Sequence, residues 1–197
     1  MSIYNFMPMA INSHNYPFIT WNDGFTEEEI QKIIDYCETI PKQVAQVHDT
    51  NTTNKEIRSS EVAWIQNTQE IYWLYDRLAF IADKINSRFY NFDLKGFNED
   101  FQYTVYNENN SGHYNWHIDL TAAEKPPRKL SLVLQLSDKS EYEGGELQTF
   151  VAPTKSTVDK KKGLIVAFPS WVLHRVTPVT KGTRKTLVIW TTGPQFK

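Results

Sequence analysis

The sequence predicts an α+β fold in which supporting helices come first and an antiparallel sandwich or barrel follows. Three observations carry that expectation. The first hundred residues hold two helical patterns, the chain from Glu99 onward breaks into short β-type runs separated by turn residues, and neither a linker nor an internal repeat divides it. The 197 residues are therefore expected to form one domain, 1–100 mainly helical support and 101–192 the sheet core.

The elements follow in order. Thr26 to Glu29 is a capping box, in which the Thr hydroxyl and the Glu carboxylate satisfy free N–H groups at a helix start. A helix over Glu27–Glu38 puts Ile30, Ile33, Ile34 and Cys37 on one face, which makes Cys37 a small core residue, and Pro41 stops it. Residues 43–60, rich in Thr, Asn and Lys, lack periodicity and read as a loop or irregular edge. A second helix spans Gln69–Tyr90, with Ile71, Leu74, Tyr75, Leu78, Ile81, Ala82, Ile85 and Phe89 repeating at three and four residues. Strands are expected at Phe101–Tyr106, Asn115–Ile118, Lys129–Leu136, Glu146–Val151, Gly163–Phe168, Leu173–Val176 and Arg184–Thr191. Gly144-Gly145 permits a tight turn with positive φ, and Lys181-Gly182 reads as a hairpin turn.

Composition narrows the chemistry. Lys+Arg 21 against Asp+Glu 23 gives no electrostatic case for nucleic acid, and the run from Asp159 to Gly163 with its three lysines reads as a solvated turn. No stretch approaches the ~18 apolar residues of a membrane helix. The N-terminal segment lacks a secretory pattern, so the chain is expected to be soluble and cytoplasmic, and the Asn51 sequon reads as chance. A single cysteine excludes a disulfide framework, a thiolate zinc cluster and a cysteine-ligated iron–sulfur centre built from this chain. Any metal must be held by His, Asp and Glu.

His117-Ile118-Asp119 is the decisive motif, because residues two apart on a strand point to the same face. With His174 from another strand it forms two imidazoles and one carboxylate on one face of an octahedral ion. That arrangement leaves three positions open and is the one non-haem Fe(II) oxygenases use. His113 lies four residues before His117, at about 3.3 Å per residue too far to bind the same ion, and reads as a rim or exposed residue. Alternation puts Arg184, Thr186, Val188 and Trp190 on one face, where the Arg184 guanidinium can clamp the far end of a dicarboxylate with two parallel hydrogen bonds. In the run Leu130–Leu136 four leucines face one way, and Ser131, Val133 and Gln135 face the other, toward either a site or water.

The stretches GHYNWHIDL, RKLSLVLQLSDKSEYEGGEL and GLIVAFPSWVLHRVTPVTKGTRKTLVIW resemble, in order and spacing, the PKHD-type hydroxylases, a branch of the prolyl 4-hydroxylase-like Fe(II)/2-oxoglutarate dioxygenase superfamily. The resemblance covers about Phe101 to Thr192, and IRSSEVAWI is similar to a weaker N-terminal pattern of the family. It implies a double-stranded β-helix, a cupin-like jelly roll whose open mouth holds the metal. By position it implies His117, Asp119 and His174 as Fe(II) ligands and Arg184 as the partner of the 2-oxoglutarate C5 carboxylate. It also implies Tyr106 near the co-substrate and Trp190 as a pocket wall, although packing alone would also account for Tyr106. Related prolyl hydroxylases commonly carry a tyrosine where Gln135 falls, so Gln135 is a departure, with co-substrate contact and solvent exposure both open. Tyr114 and Trp116 read as packing residues, and Arg58 as a substrate contact at the mouth.

The activity implied is hydroxylation of a C–H bond, with O₂ and 2-oxoglutarate consumed and succinate and CO₂ released. The expected substrate is a prolyl or other amino-acid residue in a peptide or protein. A free amino acid or small metabolite, and a non-catalytic jelly-roll binding module, are the alternatives. The second alternative would be marked by loss of a triad residue or of Arg184, and neither is lost. Neither a nucleic-acid nor a membrane partner is expected, and the sequence does not specify an oligomeric state.

Overall fold

Leu130, Leu132, Leu134 and Leu136 alternate with Ser131, Val133 and Gln135, and the two sets part company across a single sheet. The computed structural model describes residues 17–46, 53–120 and 126–195. His14, His48 and the Asn51 sequon lie outside them.

Two antiparallel sheets carry the described chain. The larger runs in the order β1 (Ile19–Trp21), β12 (Ile165–Pro169), β8 (Arg128–Gln135), β14 (Val179–Thr192), β6 (Phe101–Asn107), β4 (Glu61–Ile65) and β2 (Gln43–Val44). β5 (Gly96–Phe97) and β9 (Tyr142–Gly144) also pair with β14. The smaller sheet runs β11 (Thr154–Thr157), β10 (Leu147–Val151), β13 (Leu173–Val176), β7 (His113–His117) and β3 (Arg58–Ser59).

Helix α1 (Glu27–Thr39) starts at the expected capping box: Glu29 N–H donates to Thr26 Oγ1 at 3.2 Å and Thr26 N–H to Glu29 Oε2 at 3.0 Å. It ends before Pro41, with Ile30, Ile33 and Cys37 buried and Ile34 half-buried. Burial pushes the Cys37 thiol up to about 12, which suits an inert core residue. Helix α2 (Tyr72–Ile85) is shorter than its periodicity suggests. It begins without a side-chain cap at Ile71, and after Ile85 the chain widens into a π turn over Asn86–Tyr90 that closes on left-handed Asn91.

Both helices pack on one face of the larger sheet, where Ile33, Leu74, Leu78 and Ile85 join Leu132, Leu134, Leu187 and Ile189 in the main core. The opposite face meets the smaller sheet through a second core that includes Tyr106, Val133, Val166, Phe168 and Val176. The N-terminal part is therefore less purely helical than its sequence suggests, since β1 to β5 all precede Phe101. These strands are two to five residues long and present little periodicity to read.

The expected hairpin turn at Lys181-Gly182 is not a turn. Both residues lie inside the fourteen-residue β14, whose register against β9 shifts between Val179 and Lys181. Gly182 has φ +74°, and a Cβ there would stand 2.0 Å from the Glu141 carbonyl oxygen. The glycine follows that register shift and is pressed against a neighbouring backbone.

Candidate metal centre and co-substrate pocket

His117 and His174 stand directly opposite each other on the paired strands β7 and β13. Their ring centroids are 4.1 Å apart. Asp119 lies two residues beyond the end of β7, which stops one residue short of the expected Ile118, yet the alternation persists: Ile118 is exposed and Asp119 buried. Its backbone N–H donates to the Ser170 carbonyl at 2.8 Å, which fixes the chain where the strand stops.

His117 Nε2 lies 3.7 Å from Asp119 Oδ1, and His174 Nε2 lies 3.5 Å from Asp119 Oδ2. One ligand atom from each of the three residues lies within 4.8 Å of the others. His117 Nδ1 is 2.7 Å from the Asn115 carbonyl and His174 Nδ1 is 2.9 Å from the Val172 carbonyl. A carbonyl only accepts, so each Nδ1 carries the proton and each Nε2 keeps a lone pair turned toward the carboxylate.

The protonation states suit a cation. Burial and the neighbouring His174 push His117 well below the usual imidazole range, keeping it neutral. Burial alone would raise the Asp119 carboxyl, but the His174 and His117 imidazoles, Arg128 and the Ser131 hydroxyl outweigh it and hold it low. A neutral His117 imidazole and an ionised Asp119 carboxylate are the forms in which these side chains bind a divalent ion. These residues fit an iron(II) ion.

A cavity of about 550 Å³ opens from this cluster, and its wall includes Tyr106, Arg184, Thr186, Val188 and Trp190. Arg184 is fully buried; it donates to Gln135 Oε1 at 3.1 Å and its guanidinium carbon lies 5.4 Å from the Tyr106 ring centre. Arg184 Nε, Thr186 Oγ1 and Trp190 Nε1 are buried without a hydrogen-bond partner, all from the cavity-facing side of β14. Orphaned donors in a row mark a place where a polar ligand belongs. Gln135 is buried, not solvated, and touches Arg184 without lining the cavity.

Several neighbours were not legible as site residues. Ser131 Oγ donates to Asp119 Oδ2 at 2.7 Å and stands 3.0 Å from Ser170 Oγ. Tyr114, read as packing, stacks on His117 with ring centroids 3.4 Å apart and lines the cavity with Trp116. Arg128 forms an ion pair with Glu99 and lies 3.7 Å over the Trp190 ring. Only the polar face of β8 hinted at Ser131; the other contacts join residues far apart in sequence. His113 is not in the cluster: its ring nitrogens sit beside the Ser111 and Glu56 carbonyls.

Residues 101–192 match the family model described as the 2OG-Fe(II) oxygenase superfamily. The match lies within the second half of the chain. A PKHD-type hydroxylase of Teredinibacter turnerae is 40% identical over 86 residues, covering 41% of this chain and 38% of that protein. One from Synechococcus sp. strain CC9605 is 42% identical over 79 residues, covering 39% and 35%. The matches thus span little more than a third of the length of these curated relatives. A Pseudomonas putida prolyl-4-hydroxylase structure aligns over 92% of this chain and 95% of its own, with TM-score 0.71 and 19% identity. A Trichoplax adhaerens prolyl hydroxylase, solved with a hypoxia inducible factor oxygen degradation domain peptide fragment, aligns over 91% and 84% with TM-score 0.76 and 18% identity. At that identity the likeness shows the fold alone, the jelly roll formed by the two facing sheets.

Proposed function

We propose that the chain is an Fe(II)- and 2-oxoglutarate-dependent dioxygenase that hydroxylates a C–H bond of a prolyl or other amino-acid residue in a peptide or protein. The observation that carries this is the convergence of two Nε2 lone pairs and one buried carboxylate at a cavity whose wall holds a fully buried arginine. When bound, iron(II) with 2-oxoglutarate and O₂ supplies the oxidising chemistry that yields succinate, CO₂ and a hydroxylated product.

The rest is the work of the chain. His117 and His174 offer lone pairs from a tautomer held by backbone carbonyls, and Asp119 supplies the negative charge, steadied by Ser131. Arg184 binds the C5 carboxylate of 2-oxoglutarate through charge-assisted hydrogen bonds, and Gln135 holds the guanidinium from behind. Val133, Val188 and Trp190 give the pocket an apolar lining that limits water, and Tyr106 offers a phenol beside the guanidinium. The peptide substrate is supported by the peptide bound in the Trichoplax neighbour and by the exposed Ile57, Ile118 and Leu120, where the cavity meets the surface.

The test is succinate release from 2-oxoglutarate in the presence of prolyl peptides, with mass spectrometry for one added oxygen atom. Release that needs Fe(II) and is lost in His174→Ala supports the assignment. Release unchanged by omitting Fe(II), or by that substitution, overturns it.

A further inference from the structure

Three guanidinium groups reach the cavity, and they differ in what neutralises them. Arg128 is paired with Glu99. Arg184 meets the neutral Gln135 and is the residue assigned above to a co-substrate carboxylate. Arg58 is buried to 8% exposure, and its hydrogen-bond partners among the described residues are neutral. Its Nε donates to Ser60 Oγ at 3.0 Å, its Nη2 to Gln102 Oε1 at 2.8 Å, and its guanidinium carbon lies 4.6 Å from the Tyr114 ring centre. Among the described residues no carboxylate forms an ion pair with it, and Asp119, the one carboxylate in the cavity wall, is engaged by His117, His174 and Ser131.

A buried guanidinium without a counter-charge is costly. This one is held in place, because β3 pairs with β7 so that Arg58 sits opposite Tyr114, and Tyr114 stacks on His117. Next to it in sequence, Ile57 is exposed at the cavity mouth. Arg58 therefore stands one ring away from the His117 imidazole, with Tyr114 in contact with both.

The remaining step rests on the dioxygenase reading. The two positive charges of iron are met by Asp119 and the C1 carboxylate of 2-oxoglutarate, Arg184 by the C5 carboxylate, and Arg128 by Glu99. Among the described residues one positive charge is left over, on Arg58. We infer that the substrate of this site carries a carboxylate that docks on Arg58. A neutral substrate would bury the guanidinium further and leave it unpaired. The carboxylate has two possible sources, the α-carboxylate of a free amino acid or an acidic side chain next to the modified residue of a peptide.

Both sources can be tested on one preparation. Trp116 and Trp190 line the cavity, so tryptophan emission of the Mn(II)-loaded protein with N-oxalylglycine, an unreactive 2-oxoglutarate analogue, reports binding. One arm compares L-proline with L-prolinamide; the other compares end-blocked prolyl tripeptides carrying Glu or Gln beside the proline. The acid should bind about tenfold or more tightly than its amide in at least one arm. Arg58→Gln should bring that ratio to about one, and Arg58→Lys should retain part of it. Absence of any acid preference in the unmodified protein, or its survival in Arg58→Gln, overturns the inference. So does a raised 2-oxoglutarate requirement in Arg58→Gln, which would assign Arg58 to the co-substrate. The unmodified protein carries the test if Arg58→Gln does not fold. The anaerobic Fe(II)/2-oxoglutarate absorption band reads the dioxygenase assignment separately. A band without acid preference refutes the Arg58 site alone, and acid preference without a band refutes the dioxygenase assignment alone.

Discussion

Ser131 Oγ donates a 2.7 Å hydrogen bond to Asp119 Oδ2. Because the Ser131 proton is committed there, the 3.0 Å contact with Ser170 Oγ has Ser170 as donor, so a chain of two hydroxyls ends on the proposed carboxylate ligand. Ser131→Ala leaves that carboxylate short of a donor in a buried setting. Mn(II) affinity measured by calorimetry should fall about tenfold to a hundredfold. Unchanged affinity would mean that the serine pair only fills space.

Arg184→Ala should separate co-substrate from metal. Losing a charge-assisted contact costs about 1.5–3 kcal/mol, so the 2-oxoglutarate concentration needed for half-maximal binding should rise about tenfold to a hundredfold. Mn(II) affinity should stay near that of the unmodified protein, since Arg184 is not in the His–Asp–His cluster. Equal loss of both would remove Arg184 from its assigned role.

Gly182→Ala tests the close approach of β14 to the Glu141 backbone. At φ +74° an added Cβ meets the Glu141 carbonyl oxygen at 2.0 Å, so the β9 contact must shift, two residues before Arg184. The expected result is a loss of about 1–3 kcal/mol in unfolding experiments together with weakened 2-oxoglutarate binding. Full stability would contradict the close approach.

Acid stability should depend on Glu38. Burial alone would raise its carboxyl, but hydrogen bonds from Lys185, Lys42 and Tyr103 bring it down to about 2. Its folded value is below its ordinary 4.5, so the unfolded chain binds the proton first as pH falls. The stabilisation is present above about 4.5 and lost toward about 2. Glu38→Gln should therefore show a shallower fall in Tm across that window than the unmodified protein. An equal slope would exclude Glu38 as a contributor.

What the sequence revealed and concealed has a physical pattern. The capping box and the leucine face of Leu130–Leu136 are local periodicities, and both are present in the fold. The polar side of that same strand was ambiguous between water and a site, because only the tertiary fold sets Ser131 against Asp119 and Gln135 against Arg184. His117, Asp119 and His174 were singled out by residue type and spacing, whereas the Tyr114 stack and the Arg128–Trp190 contact have no local signature. Lys181-Gly182 misled because positive φ serves turns and bulges alike, and the choice depended on where the Glu141 backbone passes.

Anaerobic addition of Fe(II) and 2-oxoglutarate, following the weak visible charge-transfer band of their chelate, reads the His117–Asp119–His174 centre most directly. The band is expected to form with the unmodified protein and to be lost in His174→Ala. A folded protein that gives no band, or gives the same band with His174→Ala, would contradict the assignment of these ligands to iron.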